Sequence, residues 1–226
     1  LPLPFIKSVL HQAFIGLEFL HGMEIMHRTL KPATLLINAK GIVKIGDIDL
    51  AWMPKDDRTE VVTRFRGLDH VFERYYLPPE LHLFDEFWSL KADIWAMGCI
   101  LGEMVVKRPL FLVDPPPGIQ TALNHKVRAT EDMPFQADVF TKIMEKLGSP
   151  RETDWPEIIH LPGYYEMKML GQYNTSLRNW WTPRIPDPLA GDLLEQLLAY
   201  NPDKRITAED VLKHPWFQAE PLPKEK

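Results

Sequence analysis

The stretch MHRTLKPATLLI has the residue types of an active-site loop at close spacing. It carries three basic side chains and two threonines: His27, Arg28, Lys31, Thr29 and Thr34. A threonine hydroxyl is not ionised at neutral pH, so it is no general base and cannot orient a nucleophile by charge. A hydroxyl can bind magnesium, but its arm is shorter than that of a carboxamide. The stretch therefore resembles an active site that has lost its most reactive groups.

Two acids follow in the sequence KIGDIDLAW, at Asp47 and Asp49. Residues two apart on an extended segment face the same side, so the two carboxylates could hold a cation together. The alternative is that Asp49 is a solvated acid in a turn. Three histidines, His11, His21 and His214, show no ligand spacing, and no metal site is predicted from them.

Composition limits the classes of protein to which the chain can belong. Its 226 residues are 45% apolar and 25% charged, as in an ordinary globular protein. The net charge of −5 does not favour a nucleic-acid or a membrane partner. The single cysteine, Cys99, excludes an internal disulfide framework and fits a reducing, intracellular compartment. No run is expected to reach transmembrane length, since Asp93 and Glu103 interrupt the longest candidate, residues 92–106.

Hydrophobic periodicity predicts a mainly helical domain with a small β-hairpin near its start. The predicted segments are helices over 5–22, 91–106, 135–147, 188–199 and 207–212, and strands near 35–38 and 43–46. The helix over 91–106 is apolar on nearly all sides, which predicts a central position. Asp93 lies at its start, where an acid can cap backbone N–H groups and accept bonds from a neighbouring loop. Residues 52–80 form a long loop of the kind that is usually functional.

Several segments, taken in order, resemble the motifs of protein kinases. MHRTLKPATLLI resembles the catalytic loop H-R-D-L-K-P-x-N-[IL]-L, KIGDIDLAW resembles the strand and D-F-G motif, and YYLPPEL resembles the end of the activation segment, W-Y-R-A-P-E-L. DIWAMGCILGEM and LLAYNPDKRITAEDVLKHPWF are similar to the central and closing helices. FTKIMEKLGSPRETDWPEI looks like the cyclin-dependent branch, and HPWFQAEPLP resembles the Mediator-associated cyclin-dependent kinases of fungi.

The resemblance implies an α+β fold, the mainly α-helical large lobe (C-lobe) of a protein kinase with a small β-hairpin. This lobe would cover residues 1–219, with a tail at 220–226. Within it, the catalytic-loop region is 26–37, the activation segment is 47–80 and the late helices span 135–217. No G-x-G-x-x-G or V-A-I-K string occurs. The N-lobe, which supplies the Gly-rich loop and strand lysine that hold ATP, is therefore expected to be absent from this chain.

The resemblance also assigns chemical positions. Thr29 takes the place of the catalytic aspartate, where it is expected to be non-functional as a base. Lys31 matches the lysine that contacts the transferred phosphate, and Leu36 matches the apolar residue beneath the adenine. A surface lysine and a hairpin core leucine are the alternatives for these two residues.

The metal positions are altered in part. Asp47 matches the metal-binding acid, and Thr34 replaces the asparagine that would hold the second magnesium. Asp49 replaces a glycine, which removes the φ freedom of a hinge. The implied cofactors are ATP and Mg²⁺ if any binding is retained, and none otherwise.

Structural positions match better than chemical ones. Glu80 and Arg205 match a buried ion pair that ties the activation segment to the late helices. Asp93 matches the acid that holds the catalytic-loop backbone, and His27 is most simply a satisfied core residue. Arg28 matches the arginine that pairs with a phosphorylated or acidic residue of the activation loop.

The activation segment departs from the family pattern. Arg58 lies where an acid or a phosphate acceptor is expected, with Thr59 beside it. RFRGLDHVFER is inserted before YYLPPEL, and Leu77 and Pro78 replace the family's Arg and Ala. Peptide recognition of the family type is therefore not expected.

These observations leave three hypotheses for function. The first is a catalytically impaired pseudokinase that binds protein partners near the inserted loop or on the helices of 135–170. The second is an ATP-dependent serine/threonine kinase whose N-lobe lies outside this chain, and the third is a decayed paralogue. Cyclin binding is not expected without the N-lobe, and nuclear residence follows from the subfamily resemblance. The missing lobe predicts an exposed apolar patch around Phe14, Leu35 and Leu36.

Overall fold

A computed structural model describes residues 1–51, 73–85, 87–113 and 135–223. Within these residues the chain is mainly helical, with a two-stranded antiparallel sheet. The helices are α1 (Leu3–Gly22), α2 (Pro79–His82), α3 (Leu90–Val106), α4 (Ala137–Leu147), α5 (Tyr164–Met169), α6 (Leu177–Trp181), α7 (Pro188–Leu197), α8 (Ala208–Leu212) and α9 (Pro215–Gln218), and the strands are β1 (Leu35–Ile37) and β2 (Val43–Ile45).

Helix α3 forms the centre of the fold. All its residues from Ala92 to Gly102 are buried, which requires the nearly all-round apolar sequence that predicted this position. The hydroxyl of Ser89 caps its first turn by accepting a hydrogen bond from the backbone N–H of Lys91 at 3.3 Å. The helix ends where Lys107 adopts a left-handed conformation with φ 59°. Helices α1 and α7 pack against α3 and complete the core.

The hairpin packs on α1. The candidate site lies at the ends of its strands, since the catalytic-loop stretch precedes β1 and Asp47 follows β2. Its register pairs Leu35 with Ile45, Leu36 with Lys44 and Ile37 with Val43. In its turn, the Asn38 side chain accepts hydrogen bonds from the backbone N–H groups of Lys40 and Ile42. Gly41 adopts φ 76°, which few other residues tolerate. The Gln12 side chain of α1 donates to the Gly41 carbonyl at 3.1 Å and so fixes the hairpin on the helix.

The later helices agree with the periodicity to within about two residues, except for four short ones. The Thr207 hydroxyl accepts from Asp210 N at 3.1 Å and starts α8, as the sequence indicates. Helices α2, α5, α6 and α9 have four to six residues each and were not predicted. A helix of one turn shows no hydrophobic repeat. Of the predicted loop at 52–80, residues 52–72 lie outside the described residues.

The expected apolar patch is present, but only one of its three predicted members belongs to it. Phe14 is fully buried and Leu35 is nearly so, because α1 and the hairpin cover them. The exposed residues are Leu36 at 57%, with Ile37, Ile42 and Ile48 around it. Leu36 points to the outer face of the hairpin, away from the buried Leu35 and Val43, whereas Ile37 pairs with Val43 and points to the opposite face.

Helix α1 corrects the expectation that no run reaches transmembrane length. Among the described residues, α1 alone is long and apolar enough to meet the length and composition criteria of a membrane span. Residues 92–106, the longest candidate in the sequence, are shorter than α1. Ile6, Leu10, Phe14 and Leu17 of α1 are fully buried in the core, so the helix packs as a core helix of this fold.

Gly98 allows α3 and α7 to approach closely. A Cβ atom at this position would lie 2.7 Å from Leu198 Cδ2 and 3.0 Å from Leu197 Cβ. We therefore expect Gly98→Ala to lower the free energy of unfolding by about 1–3 kcal/mol, measured by urea denaturation. Gly22→Ala is the matched control, because nothing lies within 4 Å of its added methyl group. The control should equal the wild type or exceed it by up to about 1 kcal/mol, and equal losses in both variants would contradict the packing argument.

His82 in α2 should make stability depend on pH. Burial lowers its pKa from 6.5 to about 4, so the native state holds the ring neutral while the unfolded state takes up a proton first. Stability is then fully present above pH 6.5 and falls as the pH drops toward 4, by roughly 3 kcal/mol in all. His82→Leu should remove this part of the pH dependence in denaturation series, whereas the exposed His160→Leu should keep it. Identical pH profiles for the two variants would count against the assignment.

Candidate active site

The carboxylate of Asp93 holds the start of the catalytic-loop stretch. Its Oδ2 accepts a hydrogen bond from His27 N at 2.8 Å, and its Oδ1 accepts one from Arg28 N at 2.9 Å. His21 Nε2, at the end of α1, lies 3.1 Å from the same Oδ2. The side chain is only 2% exposed, so these partners replace the water that a carboxylate needs. The role for His21 was missed, because its contact depends on how α1 packs against α3.

Arg28 occupies a strained backbone conformation that Asp93 maintains. Its φ of 73° lies in the left-handed region, which costs a residue without special preference about 1–3 kcal/mol. Its guanidinium carbon lies 5.1 Å from the centre of the Trp88 ring, a cation–π distance. Thr59 and Arg58, considered as its activation-loop partners, lie outside the described residues.

His27 connects the loop to the end of the hairpin. Its Nε2 lies 2.7 Å from the Gly46 carbonyl oxygen, which can only accept, so Nε2 donates. Its Nδ1 accepts from Thr29 N at 3.4 Å. The ring is fully buried, which places His27 in the structural position expected for it.

Thr29 follows Arg28 in the loop, and its side chain is partly exposed. Its hydroxyl is 3.3 Å from His27 Nδ1 and 3.4 Å from the Asp47 carbonyl oxygen. Both contacts are long for hydroxyl hydrogen bonds. The hydroxyl therefore contacts an imidazole and a backbone oxygen.

The placement of Thr34 contradicts its predicted role as a metal ligand. Its hydroxyl donates to the Lys31 carbonyl at 2.8 Å and accepts from Lys31 N at 3.2 Å. The side chain is fully buried. The hydroxyl thus closes the short 3₁₀ turn Pro32–Thr34 and is used within its own loop. Lys31, half-buried, begins this turn, and its assignment to a phosphate remains a prediction.

Leu36 is exposed at 57% on the outer face of β1. A Cβ atom on Gly46 would lie 2.9 Å from Leu36 Cδ1, so the glycine leaves room for this side chain. A leucine exposed to this extent does not belong to the hairpin core, which was the alternative to its predicted place beneath an adenine. Its position on an open face fits contact with another molecule or lobe.

Asp47 and Asp49 are both exposed, but not on an extended segment. Asp47 adopts a left-handed conformation with φ 57°, and Asp49 lies in the 3₁₀ turn Ile48–Leu50. The argument that an extended chain points both carboxylates to one side is therefore wrong. Aspartate tolerates the left-handed region better than most residues. Among the described residues, no group of three His, Cys, Asp or Glu side chains is arranged to hold a metal ion.

A small cavity lies between this loop and the segment before α2. Its walls include Thr29, Asp93 and Leu77, and its volume is about 30 Å³. That volume suits ordered water and is far too small for a nucleotide. Leu77 and Pro78 are both buried, so they close the space on the side of the activation segment.

Glu80 and Arg205 form a buried bidentate ion pair. Both nitrogen–oxygen distances are 2.9 Å, and the two side chains are 3% and 0% exposed. The remaining guanidinium hydrogens are also used, since Arg205 donates to the carbonyl oxygens of Ala199 and Lys91 at 3.0 Å and 2.7 Å. The pair joins α2 to the segment between α7 and α8 with its donors satisfied.

Two further contacts hold the segment before α2, and the sequence analysis missed both. The Tyr76 hydroxyl donates to Glu103 Oε2 on α3 at 2.5 Å. Burial raises the pKa of the Glu103 carboxyl and that of the Tyr76 hydroxyl. Arg74 pairs with Asp138 on α4 at 3.0 Å. The tyrosine and the glutamate lie in recognised motifs, but a sequence without an alignment gives no sign that they meet.

The ion pair gives a direct test of the scaffold. We expect Glu80→Ala to lower the free energy of unfolding by about 3–5 kcal/mol, because Arg205 is left charged and buried. Glu195→Ala is the control, since Glu195 pairs with the 72% exposed Arg178 at 3.3 Å. That change should cost about 0–1 kcal/mol in the same denaturant titration. Similar losses for the two variants would show that burial of the pair does not matter.

Comparisons with known proteins agree on the family. The model of the protein kinase domain matches residues 3–217, nearly the whole chain. The serine/threonine-protein kinase srb10 of Schizosaccharomyces pombe is 37% identical over 98% of this chain and 58% of its own length. The serine/threonine-protein kinases SSN3 of Yarrowia lipolytica and Mycosarcoma maydis are 35% and 34% identical, over 96% and 97% of this chain. The matches cover 51% and 30% of those two relatives, so the chain spans about a third to a little over half of such proteins.

A solved structure gives the same answer for the fold. The kinase in the crystal structure of the yeast RNA Pol II CTD kinase CTDK-1 complex superposes with a TM-score of 0.80 at 25% identity. The superposition covers 99% of this chain and 66% of that one. The buried ion pair, the anchored loop and these similarities lead to one conclusion: the chain belongs to the protein kinase family, beside the fungal serine/threonine kinases SSN3 and srb10.

Proposed function

We propose that this chain is the large-lobe part of a cyclin-dependent-type kinase that is catalytically impaired and acts by binding protein partners. The observation that carries this proposal is the environment of Thr29. Its hydroxyl stands in place of the family's carboxylate, 3.3 Å from His27 Nδ1 and 3.4 Å from the Asp47 carbonyl oxygen, and a threonine hydroxyl is itself no base at neutral pH.

The rate that remains without a base is small. Family members turn over at about 1–100 per second, and general-base catalysis contributes about 10²–10⁴-fold. Dividing one range by the other leaves roughly 10⁻⁴ to 1 per second. Thr34 adds to the loss, because its buried hydroxyl is bonded to the Lys31 backbone and offers no ligand to a second magnesium.

The binding part of the proposal is supported by the outer face of the hairpin. Leu36 is exposed there, Ile37, Ile42 and Ile48 are exposed close by in the sequence, and exposed apolar residues of this kind often mark a contact surface. An N-lobe encoded outside these residues, or a partner protein, would cover it. By analogy with the relatives and with the solved kinase complex, a nuclear partner is proposed; a cyclin would require that N-lobe.

The alternative is an active serine/threonine kinase that uses ATP and Mg²⁺. It is favoured by Asp47, whose carboxylate is exposed at the end of the hairpin, and by the intact anchoring of the loop through Asp93. In that case Asp47 would hold the metal and Lys31 would contact the phosphate, without the usual base. The names of the relatives are equally consistent with this alternative.

The test separates nucleotide binding from transfer on the longest natural form of the protein. Thermal unfolding is measured with and without ATP and Mg²⁺, since a ligand at a hundred times its Kd adds about 2.7 kcal/mol, several degrees for a domain of this size. Phosphate transfer to serine and threonine peptides is then measured for the wild type, Thr29→Asp, and the Thr29→Asp, Thr34→Asn double variant.

We expect wild-type turnover of roughly 10⁻⁴ to 1 per second, because the carboxylate base is absent, and a gain on Thr29→Asp. Asp47→Asn is the control, and it should abolish any magnesium-dependent rise in midpoint temperature. Wild-type turnover of about 1–100 per second would disprove the impaired-kinase proposal. If none of the variants transfers phosphate, catalysis is impaired by more than the replacements at Thr29 and Thr34.

A further inference from the structure

A group of cationic side chains converges on Trp180, away from the catalytic-loop stretch. Arg184 and Lys146 contact its ring, and Arg108 and Lys142 lie close enough to act on Lys146; these four residues are called here the basic surface. Arg184 Cζ lies 4.6 Å from the centre of the Trp180 ring, and Lys146 Nζ lies 5.6 Å from it. Two cations therefore share one aromatic ring, at distances typical of cation–π contacts.

Separate elements bring these residues together. Lys142 and Lys146 are one turn apart on α4 and lie on the same face. Arg108 follows the end of α3, and Arg184 follows α6, which packs against α4. The Arg184 guanidinium also donates to the Trp180 carbonyl, which fixes its side chain over the ring. Tertiary packing thus concentrates charge that is scattered along the sequence.

The cations are close enough to affect one another. Burial lowers the pKa of Lys146; Glu145 raises it, and Arg108, Arg184 and Lys142 lower it further. Glu145 already pairs with Lys142 at 2.8 Å. The repulsion between like charges held together in this way is reduced when an anion binds among them. The ordinary explanation for such a cluster would be a solvated, lysine-rich helix face. A face of that kind would not place an arginine and a lysine against the same half-buried tryptophan.

The geometry indicates what kind of anion fits. Arg108 and Arg184 are exposed, and a guanidinium presents a planar fork of donors that matches phosphate oxygens in pairs. Trp180 is half-buried and offers an apolar wall beside them. The chain as a whole carries a net charge of −5, which repels a long polyanion at a distance. A short, locally anionic segment meets the basic surface without this penalty.

We propose that the basic surface binds a phosphorylated, acidic peptide segment of a partner protein. The phosphate lies between Arg108, Arg184 and Lys146, and the adjoining peptide contacts Trp180. This inference stands independently of phosphate transfer at Thr29, because none of its residues belongs to the catalytic-loop stretch.

The experiment measures binding of a fluorescent, acidic phosphoserine peptide by anisotropy, in the full protein at low and physiological salt. The Arg108→Ala, Arg184→Ala double variant should bind at least about tenfold more weakly, since two charge-assisted contacts are lost. Arg151→Ala, Lys204→Ala is the matched control, because it removes the same charge from exposed positions elsewhere. The control should change affinity by less than about twofold.

Arg108→Gln is a second variant that leaves the Arg184 contact with Trp180 intact, and circular dichroism checks that all variants fold. It should weaken binding by about threefold or more. Equal losses in the control and the basic-surface variants would overturn the proposal, as would equal affinity for the unphosphorylated peptide. A single-stranded oligonucleotide that binds more tightly than the peptide, with the same dependence on Arg108, would assign the surface to nucleic acid instead.

Discussion

The bonds between Asp93 and the backbone of His27 and Arg28 are the constraint on which the candidate site depends. A carboxylate that is 2% exposed has to find donors inside the protein, and the loop supplies two backbone N–H groups at 2.8 and 2.9 Å. The same bonds stabilise the left-handed backbone conformation of Arg28, which is unfavourable for this residue by itself. His27 then reaches the end of the hairpin, so the position of Asp47 also depends on Asp93.

Three of the retained positions are held in place by burial. Asp93, Glu80 and Arg205 lie in the interior, where removing one charged partner leaves the other without compensation. Thr29 and Asp49 are partly or fully exposed and make few close contacts, so their side chains can change at little cost in stability. A protein that has no need of catalysis can therefore lose its base while keeping its fold. The same logic explains why the family is easily recognised even though the chemistry is in question.

The two faces considered for binding differ in character. The outer face of the hairpin is apolar and lies beside the catalytic-loop stretch, so it suits a large covering surface. The basic surface around Trp180 is small and charged, and it suits a single anionic group. Because they lie on different elements, a partner could engage one without the other. A kinase-like lobe with impaired chemistry would thus still have separate ways to make contacts.

Sequence patterns predicted the long elements and the hairpin that carries the candidate site. The all-round apolar pattern located α3, the alternation around the NAKG turn located the hairpin, and the acid at the start of α3 was expected to bind a loop. These features are local, since a repeat of side chains along one segment reports which faces it buries. The short helices gave no such repeat and were missed.

What only the tertiary structure decided is which distant residues meet. It showed that the Thr34 hydroxyl is bonded to the Lys31 backbone and that Asp49 lies in a 3₁₀ turn and not on an extended segment. It also joined Tyr76 to Glu103 and gathered cations from three segments around Trp180. The sequence determined the family and its buried scaffold, because those depend on residue type and order. Side-chain direction and long-range contacts depend on how elements pack, and no single segment contains that information.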